Sequence, residues 1–187
     1  IQTHSDMGKR EARDRVEKLF KGVGLQPALT RNYAHEFSGG MRQRAMIAMS
    51  LALDPGLIIM DEPTTGLDVL VQERILRELK QIRQESAAAI FLITHDISVI
   101  AEMSDRIGIM YAGRIMEQAD ALELFNEPYH PYTLGLKNAF PSIRALNREL
   151  ISIPGSPPNL IEDIPGCVFA FRCPFEIPEC REKRPPD

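Results

Sequence analysis

A short apolar run that ends in two acids constrains this chain more than any other feature. The residues from Leu57 to Met60 are apolar, and Asp61 and Glu62 follow them directly. A run of this length predicts a buried strand, so both carboxylates should stand at its carboxyl end. One carboxylate of such a pair can hold Mg²⁺ while the other orients or deprotonates water, which suits nucleotide hydrolysis. Two solvated acids that merely end a strand are the simpler alternative.

A small-residue turn, Ser38-Gly39-Gly40, opens a segment over 39–53 that has the pattern of a helix. The start of a helix offers free backbone N–H groups and the positive end of the helix dipole, which together attract an anion such as phosphate. Ordinary helix capping by Ser38 is the alternative. The acid pair downstream favours the phosphate interpretation.

The sequence after Gly56 predicts a strand–helix–strand unit, with strands over 57–60 and 90–93 and a helix over 69–85. Both strands are apolar without alternation, which predicts parallel strands covered on two faces. His95 follows the second strand, so we expect it at the same sheet edge as the acids, where open α/β sheets bind ligands. An ordinary polar residue at a strand end is the alternative for His95.

Two helices are expected before this unit, over 9–20 and over 39–53. The second half of the later helix is apolar nearly all round, so we expect Met46 and Met49 to lie in the core. Arg44, on the same helix, is expected to be a surface charge.

The remaining sequence predicts a short helix over 97–103, a hairpin over 106–118 and a further short helix over 133–139. Prolines crowd the chain after residue 126. We therefore predict a change of domain near Glu127.

Composition excludes several classes of protein. With 187 residues, 44% hydrophobic and 26% charged, the chain is long enough for one packed domain with an appendage. The net charge of −4 gives no general attraction to nucleic acid, and no nucleic-acid partner is expected. No apolar run approaches the roughly 20 residues that span a bilayer. The first residues have neither the basic region nor the apolar core of a signal peptide.

Four motifs together resemble the ATP-binding-cassette (ABC) ATPases. The segment from Phe37 to Met41 is similar to their signature motif, with Met41 where the commonest form has Gln. The segment 57–62 resembles Walker B with its catalytic glutamate, 66–68 resembles the D-loop, and His95 resembles the switch histidine. Four motifs in the family's order are far more specific than any one of them alone.

The resemblance implies a partial RecA-like α/β fold, an ATP and Mg²⁺ cofactor pair, and a sandwich dimer with a second ABC ATPase subunit, identical or different. In that family Glu62 would activate water, His95 would contact the γ-phosphate and Asp61 would support Mg²⁺. The residues that would complete the partner's ATP site or the dimer interface are Ser38, Gly39, Gly40, Met41 and Asp68. For Asp68 an exposed loop acid is the alternative.

Three cysteines, Cys167, Cys173 and Cys180, are the only ones in the chain, spaced C-x₅-C-x₆-C. Clustered cysteines in a chain without an export signal favour metal or redox chemistry over structural disulfides. The spacing lacks the C-x₂-C pairs of zinc ribbons, and three thiolates are one short of the usual four for an iron–sulfur cluster. A fourth ligand could lie beyond Asp187; ordinary unpaired cysteines are the alternative.

The last third of the chain is similar to the C-terminal extension of di- and oligopeptide-importer ATPases, on the segments 130–133, 153–158, 166–169 and 172–174. Some members of that subfamily hold a four-iron four-sulfur cluster in this extension, and the three cysteines match its first three positions. The resemblance implies transmembrane permease subunits as partners, a peptide-binding protein as an indirect partner, and a peripheral location at the cytoplasmic face of the cell membrane. The expected divisions are 1–50 for the helical subdomain segment, 51–126 for the ATPase core and 127–187 for the extension.

The phosphate-cradling P-loop, G-x-x-x-x-G-K-[ST], does not occur in the sequence. We therefore expect residues 1–187 to be the C-terminal part of a longer ATPase, and we expect these residues alone not to hydrolyse ATP. Two other functions are considered. One is a soluble ABC ATPase that acts on nucleic acid or ribosomes, and the other is a non-catalytic metal-binding interaction module.

Overall fold

A computed structural model describes residues 1–85, 88–139 and 152–185 of the chain. The chain divides into two compact units, Ile1–Met103 and Ser104–Asp187. Parts of the predicted extension, over 140–151 and 186–187, lie outside the described residues. The predicted divisions at residues 50 and 126 stay predictions.

The first unit contains four α-helices and a parallel pair of strands among its described residues. In chain order they are α1 (Lys9–Gly22), α2 (Gly39–Ser50), β1 (Leu57–Asp61), α3 (Val69–Glu85), β2 (Ala89–Ile93) and α4 (Ile97–Met103). Short 3₁₀ turns occupy the irregular stretch between α1 and α2. The strand–helix–strand unit is confirmed, because β1 and β2 pair in parallel from Leu57↔Ala89 to Asp61↔Ile93.

Among the described residues, the core of the first unit lies on one face of the sheet. Ile58 and Met60 are buried in it, in one hydrophobic cluster with Ile75 and Leu79 of α3. The other sheet face is exposed, and it carries the side chains of Leu57, Ile59, Phe91 and Ile93. The prediction that both strand faces are covered is therefore wrong for the described residues, because none of them in the first unit covers the face that carries these exposed side chains.

Helix α2 also contradicts one prediction. Ile47 and Ala48 are buried, but Met46 is 61% exposed and Met49 is 72% exposed. A helix turns by about 100° per residue, so only the face toward α1 and α3 is covered here even though the sequence is apolar nearly all round.

The second unit is built on an antiparallel hairpin, as predicted, formed by β3 (Arg106–Tyr111) and β4 (Arg114–Asp120). Ala112 (φ 50°) and Gly113 (φ 77°) form the two-residue turn, and two left-handed residues in succession match the twist of a hairpin. The described part of the unit also contains helices α5 (Ala121–Asn126), α6 (Pro131–Ala139) and α7 (Glu179–Glu182) and a 3₁₀ turn over Ala170–Arg172. Its core includes Tyr111, Val168 and Phe169.

Candidate functional site at the carboxyl edge of the parallel strands

Glu62 leaves the sheet at the end of β1 in an unusual backbone conformation. Its φ of 48° lies in the left-handed region, which a residue with a Cβ adopts only under local constraint. Its backbone N–H donates to the carbonyl of Ile93 at 2.9 Å, so the parallel ladder continues one residue beyond β1. This bond anchors the backbone from which the Glu62 side chain starts.

The structure brings Glu62 and His95 into direct contact. His95 Nδ1 lies 2.8 Å from Glu62 Oε1. The second carboxylate oxygen, Oε2, accepts a hydrogen bond from Thr65 Oγ1 at 2.6 Å. Each oxygen of the carboxylate thus has one side-chain partner, and the His95 side chain remains 76% exposed.

These contacts shift the pKa values of Glu62 and His95 in opposite directions. The hydrogen bond from Thr65, followed by that from His95, holds the pKa of Glu62 below its ordinary value of 4.5. The hydrogen bond and the charge of Glu62 raise the pKa of His95 above its ordinary value of 6.5. The site therefore favours a carboxylate paired with an imidazolium over a wider pH range than two isolated groups would show.

The loop that carries His95 is held by hydrogen bonds of the next residue, Asp96. Asp96 accepts backbone N–H groups of α4 at Ser98 (2.9 Å) and Val99 (3.4 Å), so Asp96 caps this helix, as its position before Ile97 predicts. Gln72 of α3 donates to the other carboxylate oxygen of Asp96 at 3.0 Å. The loop that carries His95 is thereby tied to α3.

Asp61 and Asp68 lie on either side of the Glu62 turn. Asp61 is the last residue of β1 and is exposed. Asp68 accepts the backbone N–H of Val71 at 3.0 Å, so it caps α3. This bond gives Asp68 a role in starting α3 that is independent of any contact with a second subunit.

The residues Ser38, Gly39, Gly40 and Met41 form the start of α2. Ser38 Oγ accepts the backbone N–H of Met41 at 3.4 Å, which is the capping alternative raised from the sequence. A Cβ on Gly40 would lie 2.5 Å from Val71 Cγ1, whereas one on Gly39 would lie 3.8 Å from Leu67 Cδ2. Close packing against the start of α3 therefore requires a glycine at position 40 but not at position 39.

Two residues of the first unit, Thr65 and Arg44, make contacts that the sequence pattern does not predict. Thr65 is one of them, although a hydroxyl three residues after an acid, with Pro63 between them, is a recognisable turn signal. Arg44 is not a surface charge: its side chain is 11% exposed and lies 3.6 Å from Glu78, which is 14% exposed. Nothing in the helical pattern distinguishes Arg44 from Arg42, so only the fold could reveal this pair.

The three cysteines lie in the second unit and are free thiols. The backbone N–H of Cys167 donates to the carbonyl of Cys180 at 2.7 Å. Burial raises the pKa of the Cys173 thiol, and the nearby Cys167 and Cys180 raise it further. The fold thus gathers the three residues, but no group of three or more His, Cys, Asp or Glu side chains within the described ranges is arranged to hold a metal ion.

Comparison with known proteins connects both units to one family. The ABC transporter family model matches residues 1–65, and the model for the C-terminal region of oligopeptide/dipeptide transporters matches residues 116–180. A probable peptide ABC transporter ATP-binding protein, y4tR of Sinorhizobium fredii, is 47% identical over 99% of this chain. The oligopeptide transport ATP-binding protein OppD of Salmonella typhimurium is 44% identical over 99% of this chain. The chain spans 56% of the length of each of these relatives.

A solved structure supports the fold assignment. The dimeric post-hydrolysis state of the ATP-binding cassette MJ0796, bound to ADP and phosphate, matches 63% of this chain and 50% of that one, with 30% identity and a TM-score of 0.56. No helix in the described part of the chain is long and apolar enough to cross a membrane. The partial α/β cassette fold and the resemblance inferred from the four motifs are therefore confirmed. The chain belongs to the ABC ATPase family, and over nearly all of its length it is similar to ATP-binding proteins of peptide transporters.

Proposed function

We propose that this chain carries the water-activating part of an ATPase subunit that powers oligopeptide or dipeptide uptake by an ABC transporter. The observation that carries the proposal is the contact of Glu62 with His95 at the carboxyl edge of β1 and β2. The family relationship supports the same assignment, since the named relatives are peptide transport ATP-binding proteins.

In this proposal Glu62 is the general base that takes a proton from the attacking water. His95 contacts the γ-phosphate of ATP, and its raised pKa favours the protonated ring, which can donate to a phosphate oxygen. Because His95 Nδ1 is bonded to Glu62, the other ring nitrogen, Nε2, is the one that would donate to the phosphate, and the His95 side chain is largely exposed.

Asp61 is the residue proposed to support Mg²⁺. An exposed carboxylate is the hard oxygen donor that this ion prefers, and it adjoins Glu62 at the strand end. When bound, the ion would neutralise phosphate charge. The proposed tasks of the chain's own residues are to hold Mg²⁺ at Asp61 and to move the proton at Glu62.

A second ABC ATPase subunit is proposed as partner, with Ser38, Gly39, Gly40 and Met41 facing its ATP and Asp68 at the interface. The start of α2 suits this role because a helix N-terminus attracts phosphate, and the MJ0796 cassette is dimeric. Permease subunits are the proposed membrane partners, with a peptide-binding protein acting through them. The subunit would then be peripheral, at the cytoplasmic face of the cell membrane.

The test compares Glu62→Gln with Glu73→Gln in the full-length subunit assembled with its permease. Glu73 is an exposed residue of α3 that pairs with Arg77, so its substitution is a matched control. We expect Glu62→Gln to lower kcat at least roughly 100-fold with KM for ATP within about threefold, as removal of a general base requires. Turnover that survives Glu62→Gln would refute the proposal. Stimulation by DNA or RNA rather than by the permease would favour the nucleic-acid alternative.

The four-iron four-sulfur cluster remains a hypothesis about Cys167, Cys173 and Cys180. The three thiols lie in one neighbourhood, but they supply one ligand too few and the described residues show no metal site. The function proposed above uses no step through a cluster. Iron and sulfide analysis of anaerobically purified full-length protein decides the question, with Cys173→Ser as the variant that should lose both elements if a cluster is bound.

A further inference from the structure

Thr65 occupies a fixed place relative to Glu62 because both belong to one tight turn. The backbone N–H of Thr65 donates to the carbonyl of Glu62 at 3.2 Å. Pro63 and Thr64, the two residues between them, are buried. Proline restricts φ at the first central position, so the turn has little freedom to carry Thr65 away from Glu62.

The hydroxyl of Thr65 adds a second link across the same turn. Thr65 Oγ1 donates to Glu62 Oε2 at 2.6 Å, while His95 meets Oε1 at 2.8 Å. A glutamate has three rotatable side-chain bonds, and one hydrogen bond leaves the carboxylate plane free to turn. Two bonds, one to each oxygen, fix that plane.

We propose that Thr65 is a positioning residue that holds Glu62 Oε2, so that Oε1 is the oxygen presented to His95 and to the attacking water. The expected loss of ATP turnover rests on the proposed function. The claim that Thr65 fixes the Glu62 carboxylate does not depend on that function. Thr65 itself touches neither water nor phosphate in this proposal.

Loss of the Thr65 hydroxyl should have two opposing effects on kcat. A hydrogen bond to a carboxylate weakens it as a base, so loss of Thr65 alone could strengthen Glu62. Misplacement of a general base, however, costs up to roughly 100-fold in rate. Because Oε1 keeps its partner His95 when Thr65 is lost, we expect a partial loss of position and a net decrease of about tenfold in kcat.

The experiment measures ATP turnover of Thr65→Val and Thr65→Ser in the full-length subunit assembled with its permease. Thr30→Val is the matched control, since Thr30 donates its hydroxyl to the carbonyl of Pro27 in a distant exposed turn. We expect Thr65→Val to lower kcat about tenfold with KM for ATP within about twofold, and Thr65→Ser to stay within about threefold of wild type. Thr30→Val should not change either constant.

Three kinetic results would overturn the inference: an unchanged or increased kcat in Thr65→Val, equal losses in the serine and valine variants, or a change confined to KM. A readout independent of turnover separates this inference from the proposed function. In protein labelled with ¹⁵N-histidine, the ring-nitrogen shifts of His95 at fixed pH report its bond to Glu62.

We expect Thr65→Val to move the His95 ring-nitrogen shifts part of the way toward those of Glu62→Gln, and Thr65→Ser to leave them in place. Unchanged His95 shifts in Thr65→Val would overturn the positioning role even if turnover behaved as expected. If Glu62→Gln retains full turnover, the proposed function fails, and the His95 shifts alone then decide whether Thr65 positions Glu62.

Discussion

His95 Nδ1 lies 2.8 Å from Glu62 Oε1, although the two residues are 33 positions apart in the chain. The parallel pairing of β1 with β2 creates this contact, because it brings the ends of the two strands to one edge.

The first prediction concerns the charge of this pair. Because the pKa of His95 is raised, its stabilising contribution is complete below pH 6.5 and is lost as pH rises through the raised value. Because the pKa of Glu62 is lowered, its contribution is complete above pH 4.5 and is lost as pH falls through the lowered value. The contact should therefore be fully charged between these two pH values.

An NMR titration of the His95 ring checks this prediction. We expect an apparent pKa above 6.5 in the wild-type protein and a lower value in Glu62→Gln, which cannot carry the negative charge. His35, an exposed histidine of the same unit, serves as the internal reference. A His95 titration that is the same in both proteins would mean that the pair does not form in solution.

The second prediction concerns Gly40, whose added Cβ would lie 2.5 Å from Val71 Cγ1. We expect Gly40→Ala to reduce the free energy of unfolding by about 1–2 kcal/mol, since overpacking outweighs the helix propensity that alanine gains in the first turn. Gly39→Ala is the matched control and should change stability by less than about 0.5 kcal/mol, because its Cβ meets only an ordinary contact.

A double-mutant cycle with Val71→Ala tests the cause of the Gly40 effect. If the clash is with Val71, the double variant should recover about 1 kcal/mol relative to the sum of the single variants in denaturant unfolding. Additive effects would contradict the steric explanation. Stability rather than turnover is the right measurement, because both glycines belong to the proposed phosphate-binding motif.

The third prediction concerns the largely buried pair of Arg44 with Glu78. Arg44 also donates to the carbonyl of Gly24 at 3.0 Å, and Glu78 Oε2 has no hydrogen-bond partner among the described residues. Breaking a buried pair costs about 3–5 kcal/mol, but the 3.6 Å separation is long, so we expect about 2–3 kcal/mol for Arg44→Met. Arg77→Met, at an exposed pair on α3, should cost less than about 1 kcal/mol.

The pH dependence of Arg44→Met identifies the unpaired carboxylate as the cause. Burial raises the pKa of Glu78, and the charge of Arg44 opposes that rise. Removing Arg44 should raise this pKa further, so the variant should regain stability as pH falls and Glu78 takes up a proton. Urea unfolding at pH 5 and pH 7.5 measures this, and a loss that is independent of pH would point to lost packing instead.

The fourth prediction concerns Arg172 in the second unit. Its guanidinium donates to the carbonyls of Pro154 (2.8 Å) and Ile153 (3.2 Å) and to the hydroxyl of Tyr111 (3.2 Å). We expect Arg172→Met to destabilise this unit by about 2–3 kcal/mol and Arg172→Lys by less, because lysine replaces only part of the planar fork.

Hydrogen exchange at the amides of β3 and around Phe169 measures the Arg172 effect locally. Arg184→Met is the control, since Arg184 is half exposed and its partners are Ile164 and Asp163 at the surface. Equal protection in Arg172→Met and Arg184→Met would show that the three bonds of Arg172 do not hold the unit together.

The sequence alone determined the elements of the parallel unit and the order of the motifs. One apolar run ends in Asp61-Glu62, a helix follows, and a second apolar run ends before His95. Two strands joined by a helix pair in parallel, and this pairing brings their carboxyl ends together. The hairpin of the second unit was equally predictable, since Ala112-Gly113 interrupts two strand-forming runs.

Only the tertiary structure decided which groups those elements bring into contact. Periodicity could not distinguish the largely buried Arg44 from a surface charge, because burial depends on the neighbouring helix and not on the residue's own helix. It could not predict the uncovered faces at Ile59 and Met49 for the same reason. Thr65 bonds to a Glu62 whose backbone is left-handed, a conformation that local propensity disfavours and that the sequence therefore does not predict.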